Sequence, residues 1–254
     1  MKKVHYIDDY LLAPYHPITV NLIGCGGTGS QVLTALARIN VALHGLGHIG
    51  ITVHAYDADV VTEANLGRQL FSENDLGVNK ANVLISRLNR FFGTDWESYS
   101  EEFPSKDSKT ANITITCVDS VKARIEIGKY LRNHNVATDQ EREYYWLDFG
   151  NTTNTGQVVL GTVAPIDQPK VEDTETVGEL KCVDQRFNLT HVKDEDSGPS
   201  CSLAEALRKQ DLFINSTLAN FGCSLLWKLI SQGSIESQGM YLNLKTFKCN
   251  PINL

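Results

Sequence analysis

The sequence predicts an α/β fold in which helices cover both faces of a mostly parallel sheet. Three observations point to it. An apolar strand runs directly into a glycine-rich turn and a helix over residues 18–41. Strand-like runs then alternate with amphipathic stretches as far as residue 163, which is the pattern of parallel sheets. The 254 residues are 42% hydrophobic and 21% charged, a composition that supports a sizeable core and excludes a wholly disordered chain.

The first unit of this fold spans residues 18–57. Residues 18–23 are apolar and partly β-branched, as in a buried strand. A helix follows from Ser30, where apolar residues recur at helical spacing, and residues 51–56 form the next strand, which ends at Asp57. Strand, glycine turn, helix, strand and acid make one βαβ unit, so we predict a Rossmann-like sheet.

The later elements continue the alternation. We predict helices at 79–92 and 121–132, strands at 96–103, 113–118, 144–149 and 157–163, a helix running to Ile230 that begins at the capping box Ser202-Leu-Ala-Glu205, and a final strand at 239–247. The length and the continuous alternation predict a single domain over residues 1–254.

One segment departs from this pattern. Between residues 167 and 196, nine acidic residues stand against four basic ones, and prolines lie at both ends of the segment. Connections of this length in compact domains are functional or irregular. We therefore predict an acidic mobile loop over residues 166–200, inside the domain.

Charge and cysteine usage exclude several classes of protein. The net charge is −7 with a pI near 5.5, which argues against nucleic acid or an anionic membrane as the main partner. No stretch approaches the ~20 apolar residues of a membrane span, and polar residues interrupt the N-terminal segment where a secretory leader would be apolar. The six cysteines are scattered and form no CxxC pair. We expect a cytoplasmic protein with reduced thiols and no zinc site.

The glycine-rich turn predicts a phosphate site. Gly24-x-Gly26-x-x-Gly29 follows a strand and opens a helix, whose N-terminal N–H groups attract anions. Asp57 ends the next strand, 28 residues beyond Gly29, where an acid can accept hydrogen bonds from ribose hydroxyls. Taken alone, these features are typical of an NAD-dependent oxidoreductase.

Polar residues beyond Asp57 favour a different nucleotide. Asn65, Arg68, Gln69 and Lys80 follow within 23 residues. A dinucleotide site needs no such cluster, whereas the β- and γ-phosphates of a nucleoside triphosphate are bound by cations. Asp119 ends another strand, where α/β sheets place ligands, and its carboxylate suits Mg²⁺.

In combination these motifs resemble the ThiF/MoeB/ubiquitin-activating superfamily. The resemblance is carried by Gly24-x-Gly-Gly-x-Gly-Ser30, Asp57-x-Asp59, Asn65-Leu-x-Arg-Gln69, Lys80 and Cys117-x-Asp-Ser-x-x-x-Arg124. Its core covers residues 18–165, which we interpret as a nucleotide-binding core. The stretches Pro199-Ser-Cys-Ser-Leu-Ala-Glu-Ala-Leu207 and Gln210-Asp-Leu-Phe-Ile-Asn215 are similar to ThiF-like members of bacterial PRTRC gene cassettes.

The resemblance implies an activity, a partner and a set of residue roles. Family members use ATP and Mg²⁺ to adenylate the C-terminal carboxylate of a small ubiquitin-like or sulfur-carrier-like protein. Family members are dimers, so the resemblance implies a homodimer. It also implies an adenylation-type fold with antiparallel strands in its C-terminal part. The implied roles are the nucleotide loop for Gly24, Gly26, Gly27 and Gly29; the ribose for Asp57, with Asp59 beside it; the phosphates for Asn65, Arg68 and Lys80, with Gln69 nearby; and Mg²⁺ for Asp119.

Two departures from the family pattern stand out. Many relatives carry an N-terminal arginine that reaches the ATP of the partner subunit, but residues 1–37 contain no arginine. Relatives such as MoeB often hold zinc with two CxxC pairs, which this chain lacks. We expect either a substitute lysine or the loss of the first contact, and no zinc.

Two cysteines are candidates for a thioester step that follows adenylation in some relatives. Cys201 lies in Pro199-Ser-Cys-Ser-Leu203, which is similar to the stretch around the thioester cysteine of eukaryotic relatives, and it precedes a predicted helix N-terminus, which lowers a thiol's pKa. Cys182 lies in the acidic segment, where several relatives have their crossover loop. The alternative for both residues is a packing role.

Three other functions stay open. An NAD-dependent oxidoreductase accounts for the glycines and Asp57, but not for Arg68, Lys80 and Asp119. An enzyme that adenylates a small molecule or a tRNA-borne carboxylate fits the motifs, although the acidic charge disfavours tRNA. A non-catalytic adaptor that retains the fold is favoured by the missing N-terminal arginine and disfavoured by the intact phosphate-binding residues.

Overall fold

The computed structural model describes residues 2–133, 138–189 and 210–254. Its strands are β1 (Lys2–Tyr6), β2 (Ile18–Ile23), β3 (Ile51–Tyr56), β4 (Glu97–Tyr99), β5 (Ile113–Thr116), β6 (Tyr145–Asn151), β7 (Thr155–Thr162), β8 (Thr174–Thr176), β9 (Ser234–Ile235), β10 (Ser237–Asn243) and β11 (Lys248–Asn253). The α-helices of the described residues are α1 (Asp9–Leu12), α2 (Gly27–Gly45), α3 (Lys80–Phe92), α4 (Val121–Asn133), α5 (Val183–Arg186) and α6 (Ile214–Gln232).

The main sheet has eight strands in the order β11-β10-β7-β6-β5-β2-β3-β4. Strands β4, β3, β2, β5 and β6 are parallel, and β6, β7, β10 and β11 pair antiparallel in succession. The predicted Rossmann-like, mostly parallel sheet is confirmed, and so are the antiparallel strands of the C-terminal part.

Apolar side chains bury both faces of this sheet. On one face, alternate residues of β2 pack with α2, α3 and α6, as Leu22, Leu36 and Leu226 illustrate. On the other face, Ile23 lies in a second cluster with Ile127 of α4 and Val183 of α5. Helices therefore cover both faces, as the alternating sequence pattern predicted.

Local signals set several element ends where the sequence places them. The side chain of Asn79 accepts a hydrogen bond from the N–H of Asn82 and begins α3, and Gly93 ends it in the left-handed conformation at φ 70°. Gly233 ends α6 in the same way. Helix α2 begins at Gly27, three residues before the predicted start, because its glycines form the first turn.

The structure adds elements that the sequence analysis did not identify. A second sheet has the order β8-β1-β9, in which β1 pairs parallel with β8 and antiparallel with β9. The final strand predicted at 239–247 is instead a hairpin of β10 and β11 that turns at residues 244–247. Its outer strand holds Pro251, which an edge strand tolerates because no ladder N–H is needed there.

The acidic segment is more ordered than a loop over residues 166–189, the part that the structure describes. It contains β8 and α5, and the side chains of Ile166, Leu180 and Val183 are buried. Residues 190–200 lie outside the described residues. None of the helices in the described ranges has the length and apolar character needed to cross a membrane.

Candidate functional site

A cavity of about 520 Å³ opens at the carboxyl ends of β2, β3 and β5. Strands β2 and β5 are neighbours, but the chain leaves β2 toward β3 on one side and leaves β5 toward β6 on the other. Such a switch in direction opens a crevice in which α/β sheets bind ligands. Predicted site residues that line it include Gly26, Asp57, Arg68, Lys80 and Asp119.

The glycine loop forms one wall, and its glycines serve different purposes. Gly24 has φ +89°, and a Cβ there would lie 2.8 Å from the carbonyl oxygen of Cys117. A Cβ at Gly29 would lie 1.8 Å from the carbonyl oxygen of Gly24, so Gly29 permits close packing rather than lining the cavity. At Gly26, by contrast, the nearest atom to an added Cβ is 3.9 Å away. Gly26 therefore faces open space at the N-terminus of α2, whose first N–H groups lack helical partners.

Asp57 is fixed beside this loop by backbone donors. Its Oδ2 accepts the N–H of Cys25 at 2.6 Å, and its Oδ1 accepts the N–H of Asp59 at 2.8 Å. Each carboxylate oxygen keeps a further lone pair for a ligand hydroxyl. Burial raises the pKa of Asp57, and the two backbone hydrogen bonds act in the opposite direction.

Lys80 enters the cavity from the first turn of α3. Its Nζ lies 2.7 Å from Oδ2 of Asp59, and the two side chains are 10% and 72% exposed. The side chain of Asn79 donates to the carbonyl oxygens of Asp57 and Asp59, at 2.7 and 3.1 Å. The ammonium group is therefore held at the wall by a solvated carboxylate, an arrangement that an incoming anion can replace at low cost.

Arg68 carries a positive charge that no acid neutralises within the described residues. Its Nη1 donates to Oε1 of Gln210 at 2.6 Å, and its Nε is buried and has no hydrogen-bond partner in the described ranges. Burial lowers the pKa of Arg68. Gln69 beside it has a buried Oε1 that also lacks a partner. Both groups are unsatisfied in a cavity wall, where a bound polar ligand would pair with them.

Asn65 lies apart from these residues. Its Oδ1 accepts the N–H and the hydroxyl of Thr62 at 2.9 and 3.1 Å, which caps the short 3₁₀ turn Glu63–Asn65. It is outside the cavity wall, whereas Arg68 and Gln69 are part of it. A contact between Asn65 and phosphate stays a prediction.

Asp119 is exposed at the cavity edge just beyond β5. The segment that carries it is fixed from below by Arg124, whose Nη2 donates to the carbonyl oxygen of Val118 at 2.7 Å. The Nε of Arg124 lies 2.9 Å from Oδ1 of Asp148, and both side chains are almost inaccessible. Arg124 therefore supports the segment and does not face a ligand.

A polar network that sequence reasoning missed lines the cavity and links the glycine loop to Arg68. Asn215 Oδ1 accepts the hydroxyl of Thr28 at 2.9 Å and Nδ2 of Asn151 at 2.8 Å. Asn215 Nδ2 donates at 2.8 Å to Oε1 of Gln210, the atom that also accepts Arg68. Gln210 and Asn215 belong to a stretch that the sequence analysis used only for placement in a family, and no local signal marked them as site residues.

The buried thiols among the described residues are poor nucleophiles as placed. Cys182 is 1% exposed, its Sγ lies 3.3 Å from the carbonyl oxygen of Thr162, and burial raises its pKa to about 12. Burial also raises the pKa of Cys25 and Cys117 well above the usual value, in agreement with a packing role. Cys201 lies outside the described residues.

Comparisons with known proteins agree with this architecture. The chain is 32% identical over 94 residues to the ATP-dependent ubiquitin transferase-like protein Cap2 of Enterobacter hormaechei subsp. hoffmannii (strain UCI 50). The matched region covers 37% of this chain and 14% of Cap2. Among solved structures, MccB of E. coli matches with a TM-score of 0.62 and 18% identity, covering 96% of this chain and 63% of MccB. PaaA matches with a TM-score of 0.59 and 16% identity, covering 93% and 64%.

The extent of these matches separates fold from function. The chain spans less than two thirds of each of these relatives, and the structural matches, all at low identity, establish the fold. A model of the ThiF family matches residues 15–248, which is nearly the whole chain. The chain belongs to the ThiF family.

Proposed function

We propose that this protein binds ATP with Mg²⁺ and adenylates the C-terminal carboxylate of a small ubiquitin-like protein or peptide. The observation that carries the proposal is the guanidinium of Arg68, which is partly buried at the cavity wall and, among the described residues, is hydrogen-bonded to a neutral amide and to no carboxylate. An uncompensated charge at such a place is costly unless a ligand completes it. Lys80 and the N-terminus of α2 line the same cavity, so three anion-attracting groups converge on one ligand.

The remaining parts of the cavity fit a nucleotide. Asp57 is oriented to accept ribose hydroxyls through the free lone pairs of its fixed carboxylate. Six carboxylates and three cationic side chains line the cavity. An ATP tetra-anion by itself would be repelled by this net negative wall, which favours the complex with a divalent cation.

The residues present fit Mg²⁺ held partly by its substrate. In the described part of the chain, no group of three His, Cys, Asp or Glu side chains forms a metal site by itself. Mg²⁺ in nucleotide sites uses one or two carboxylates together with phosphate oxygens and water, and Asp119 supplies one carboxylate at the cavity edge. When bound there, Mg²⁺ would neutralise charge on the pyrophosphate leaving group.

The chemistry asks little of the protein beyond placement and charge. The substrate carboxylate is ionised at neutral pH, so no general base is needed. One of its oxygens bonds to the α-phosphorus, the bond from that phosphorus to the bridging oxygen breaks, and pyrophosphate leaves. In this proposal Arg68 and Lys80 stabilise the charge that develops on pyrophosphate, and the glycine loop aligns the phosphates.

Two relatives support the choice of substrate class. MccB of E. coli has solved structures with ATP and with MccA, and Cap2 is named as ubiquitin transferase-like. A subsequent thioester on Cys201 would need attack of its thiolate on the acyl-adenylate with release of AMP, and it stays a separate prediction. The homodimer implied by the family also stays a prediction, which the molar mass in solution tests.

The first experiment is thermal unfolding of the purified protein with ATP·Mg²⁺, with ATP and a chelator, and with NADH. At a concentration 100 times Kd, binding should add about 2.7 kcal/mol to the free energy of unfolding. We expect ATP·Mg²⁺ to stabilise the protein and Asp119→Ala to weaken this effect, whereas Asp95→Ala, a change of an exposed acid outside the cavity wall, should leave it intact. Stabilisation by NADH alone would replace the proposal with an oxidoreductase, and no stabilisation by either nucleotide would favour an adaptor.

A further inference from the structure

Gln210 is the acceptor that holds Arg68, and it is itself held from behind. Its Oε1 accepts Nη1 of Arg68 at 2.6 Å and Nδ2 of Asn215 at 2.8 Å. Two donors on one oxygen fix the orientation of the amide, because a rotation that exchanged its oxygen and nitrogen would set three donor groups against one another. The direction in which Arg68 points is therefore set by Gln210.

Asn215 connects this amide to the glycine loop. It is the second residue of α6 and is 4% exposed. Its Oδ1 uses both lone pairs, one for the hydroxyl of Thr28 in the first turn of α2 and one for Nδ2 of Asn151. A Cβ at Gly27 would lie 2.5 Å from Nδ2 of Asn215. The glycine at that position, which also lines the cavity, leaves room for the side chain of Asn215.

The oxygen of Gln210 that accepts the hydrogen bond from Arg68 belongs to a neutral amide, so it does not neutralise the guanidinium. A carboxylate at the same distance would form an ion pair and neutralise the guanidinium, as Asp148 does for Arg124. An amide oxygen orients the group through a single hydrogen bond and leaves its charge available. The network fixes the geometry of Arg68 without reducing its attraction for an anion.

We infer that Gln210 and Asn215 are positioning residues: they aim Arg68 at the phosphates and couple its position to the glycine loop at the N-terminus of α2. This inference rests on the proposed function, because the ligand that Arg68 awaits is the ATP phosphate chain. Neither residue needs to touch the nucleotide for the effect. The residues act through Arg68, so their contribution should vanish when Arg68 is absent.

A double-mutant cycle on ATP·Mg²⁺ affinity, measured by titration calorimetry, tests the inference. Gln210→Ala should weaken binding about 5- to 10-fold in the unchanged background and less than 2-fold in the Arg68→Ala background, in proportion to the value of one hydrogen bond. Gln210→Glu should weaken binding more than Gln210→Ala does, although glutamate is the closer match in size, because the new carboxylate neutralises Arg68. A residue with only a packing role would give the opposite order.

Asn215→Ala should weaken binding in the same direction, and its thermal stability is measured in parallel. The matched control is Asn220→Ala on the same helix, where the side chain is exposed and its amide donates to the carbonyl oxygen of Ser216. The affinity of this control for ATP·Mg²⁺ should match that of the unchanged protein. If the unchanged protein binds no ATP·Mg²⁺, both the proposed function and this inference are overturned. If it binds, and Gln210→Ala costs as much without Arg68 as with it, this inference alone fails.

Discussion

Two arginines beside the cavity are held in opposite ways. Arg124 pairs with Asp148 and donates to the carbonyl oxygens of Val118 and Phe149 at 2.7 and 2.8 Å, and its side chain is 9% exposed. In the part of the chain that the structure describes, Arg68 has one hydrogen-bond partner, the neutral amide of Gln210, and its buried Nε has none. The charge of Arg124 is neutralised by Asp148 within the fold. No carboxylate among the described residues neutralises the charge of Arg68.

The difference indicates that two arginines from the same set of family motifs have different roles, one in supporting the structure and one in binding a ligand. Both arginines belong to the stretches that carried the resemblance, Asn65-Leu-x-Arg-Gln69 and Cys117-x-Asp-Ser-x-x-x-Arg124, and nothing in their sequence context distinguishes them. The partners distinguish them: a carboxylate and two carbonyl oxygens for one, an amide for the other. An arginine whose charge is paired within the protein supports the fold, whereas an arginine without such a pair is available to bind an anion.

The largest effect on the free energy of unfolding is expected from removing Arg124, the arginine that is paired with a carboxylate. Arg124→Ala should lower the free energy of unfolding by about 3–5 kcal/mol, because it leaves the Asp148 carboxylate buried without its charge partner. Chemical denaturation measures this loss. Arg132→Ala on the same helix is the matched control; its ion pair with Asp184 is more exposed, so the loss there should be about 1 kcal/mol. Equal losses in the two variants would show that the buried pair has no special weight.

A smaller effect, of a different kind, is expected on the uncompensated side. Arg68→Ala should weaken ATP·Mg²⁺ binding about 30-fold, which is about 2 kcal/mol, and change the free energy of unfolding by less than about 1 kcal/mol. Arg90→Ala replaces an exposed arginine at the end of α3 and should change neither quantity. If Arg68→Ala instead caused a large loss of stability and left the affinity for ATP·Mg²⁺ unchanged, Arg68 would have a structural role like that of Arg124, and the contrast between the two arginines would be wrong.

The same contrast extends to carboxylates along β6, where the smallest effect is expected. Asp148 is paired with Arg124. Glu143, just before the strand, is 5% exposed, and neither of its carboxylate oxygens has a hydrogen-bond partner among the described residues. Burial raises the pKa of Glu143 from 4.5 to about 8. The folded protein therefore holds a proton there that the unfolded chain has lost, and stability falls as pH rises from about 4.5 to about 8.

Glu143→Gln should remove that fall. The variant and the unchanged protein should be equally stable near pH 4, and the variant should be the more stable of the two at pH 8, since glutamine does not ionise and the buried carboxyl of Glu143 disfavours ionisation. Melting temperatures measured across this range test it. Glu141→Gln, two residues earlier and exposed, should show no such trend. Parallel pH profiles for the unchanged protein and Glu143→Gln would mean that Glu143 stays ionised in the fold.

The sequence predicted the elements whose signals are local. The strand at residues 18–23, the strand at 51–56 and the helix that ends at Phe92 all have the predicted position or lie within a residue of it. Apolar periodicity and glycine at turns set these elements through neighbours a few residues away. Nine of the residues predicted for the site line one cavity: Gly24, Gly26, Gly27, Asp57, Asp59, Arg68, Gln69, Lys80 and Asp119. Asp57 and Asp119 meet there because parallel strands bring their carboxyl ends to the same edge of the sheet.

The elements that sequence reasoning missed depend on distant partners. Strand β1 pairs with β8 and β9, which lie more than 160 residues further along the chain, and its five residues carry no strong period of their own. Cys182 looked available in an acidic segment, but it is buried against the carbonyl oxygen of Thr162. Only packing between remote segments decides such burial.

The sequence by itself determined the alternation of strands and helices between residues 18 and 132, the glycine turn and most of the chemical groups that surround the cavity, because each of these follows from the residue and its near neighbours. The tertiary structure decided which charges are neutralised. Arg68 and Gln210 are 142 residues apart in the sequence, and Arg124 of α4 meets Asp148 of β6. A charge is compensated or free according to what the fold places within hydrogen-bond distance of it, and that distance is a property of the whole molecule.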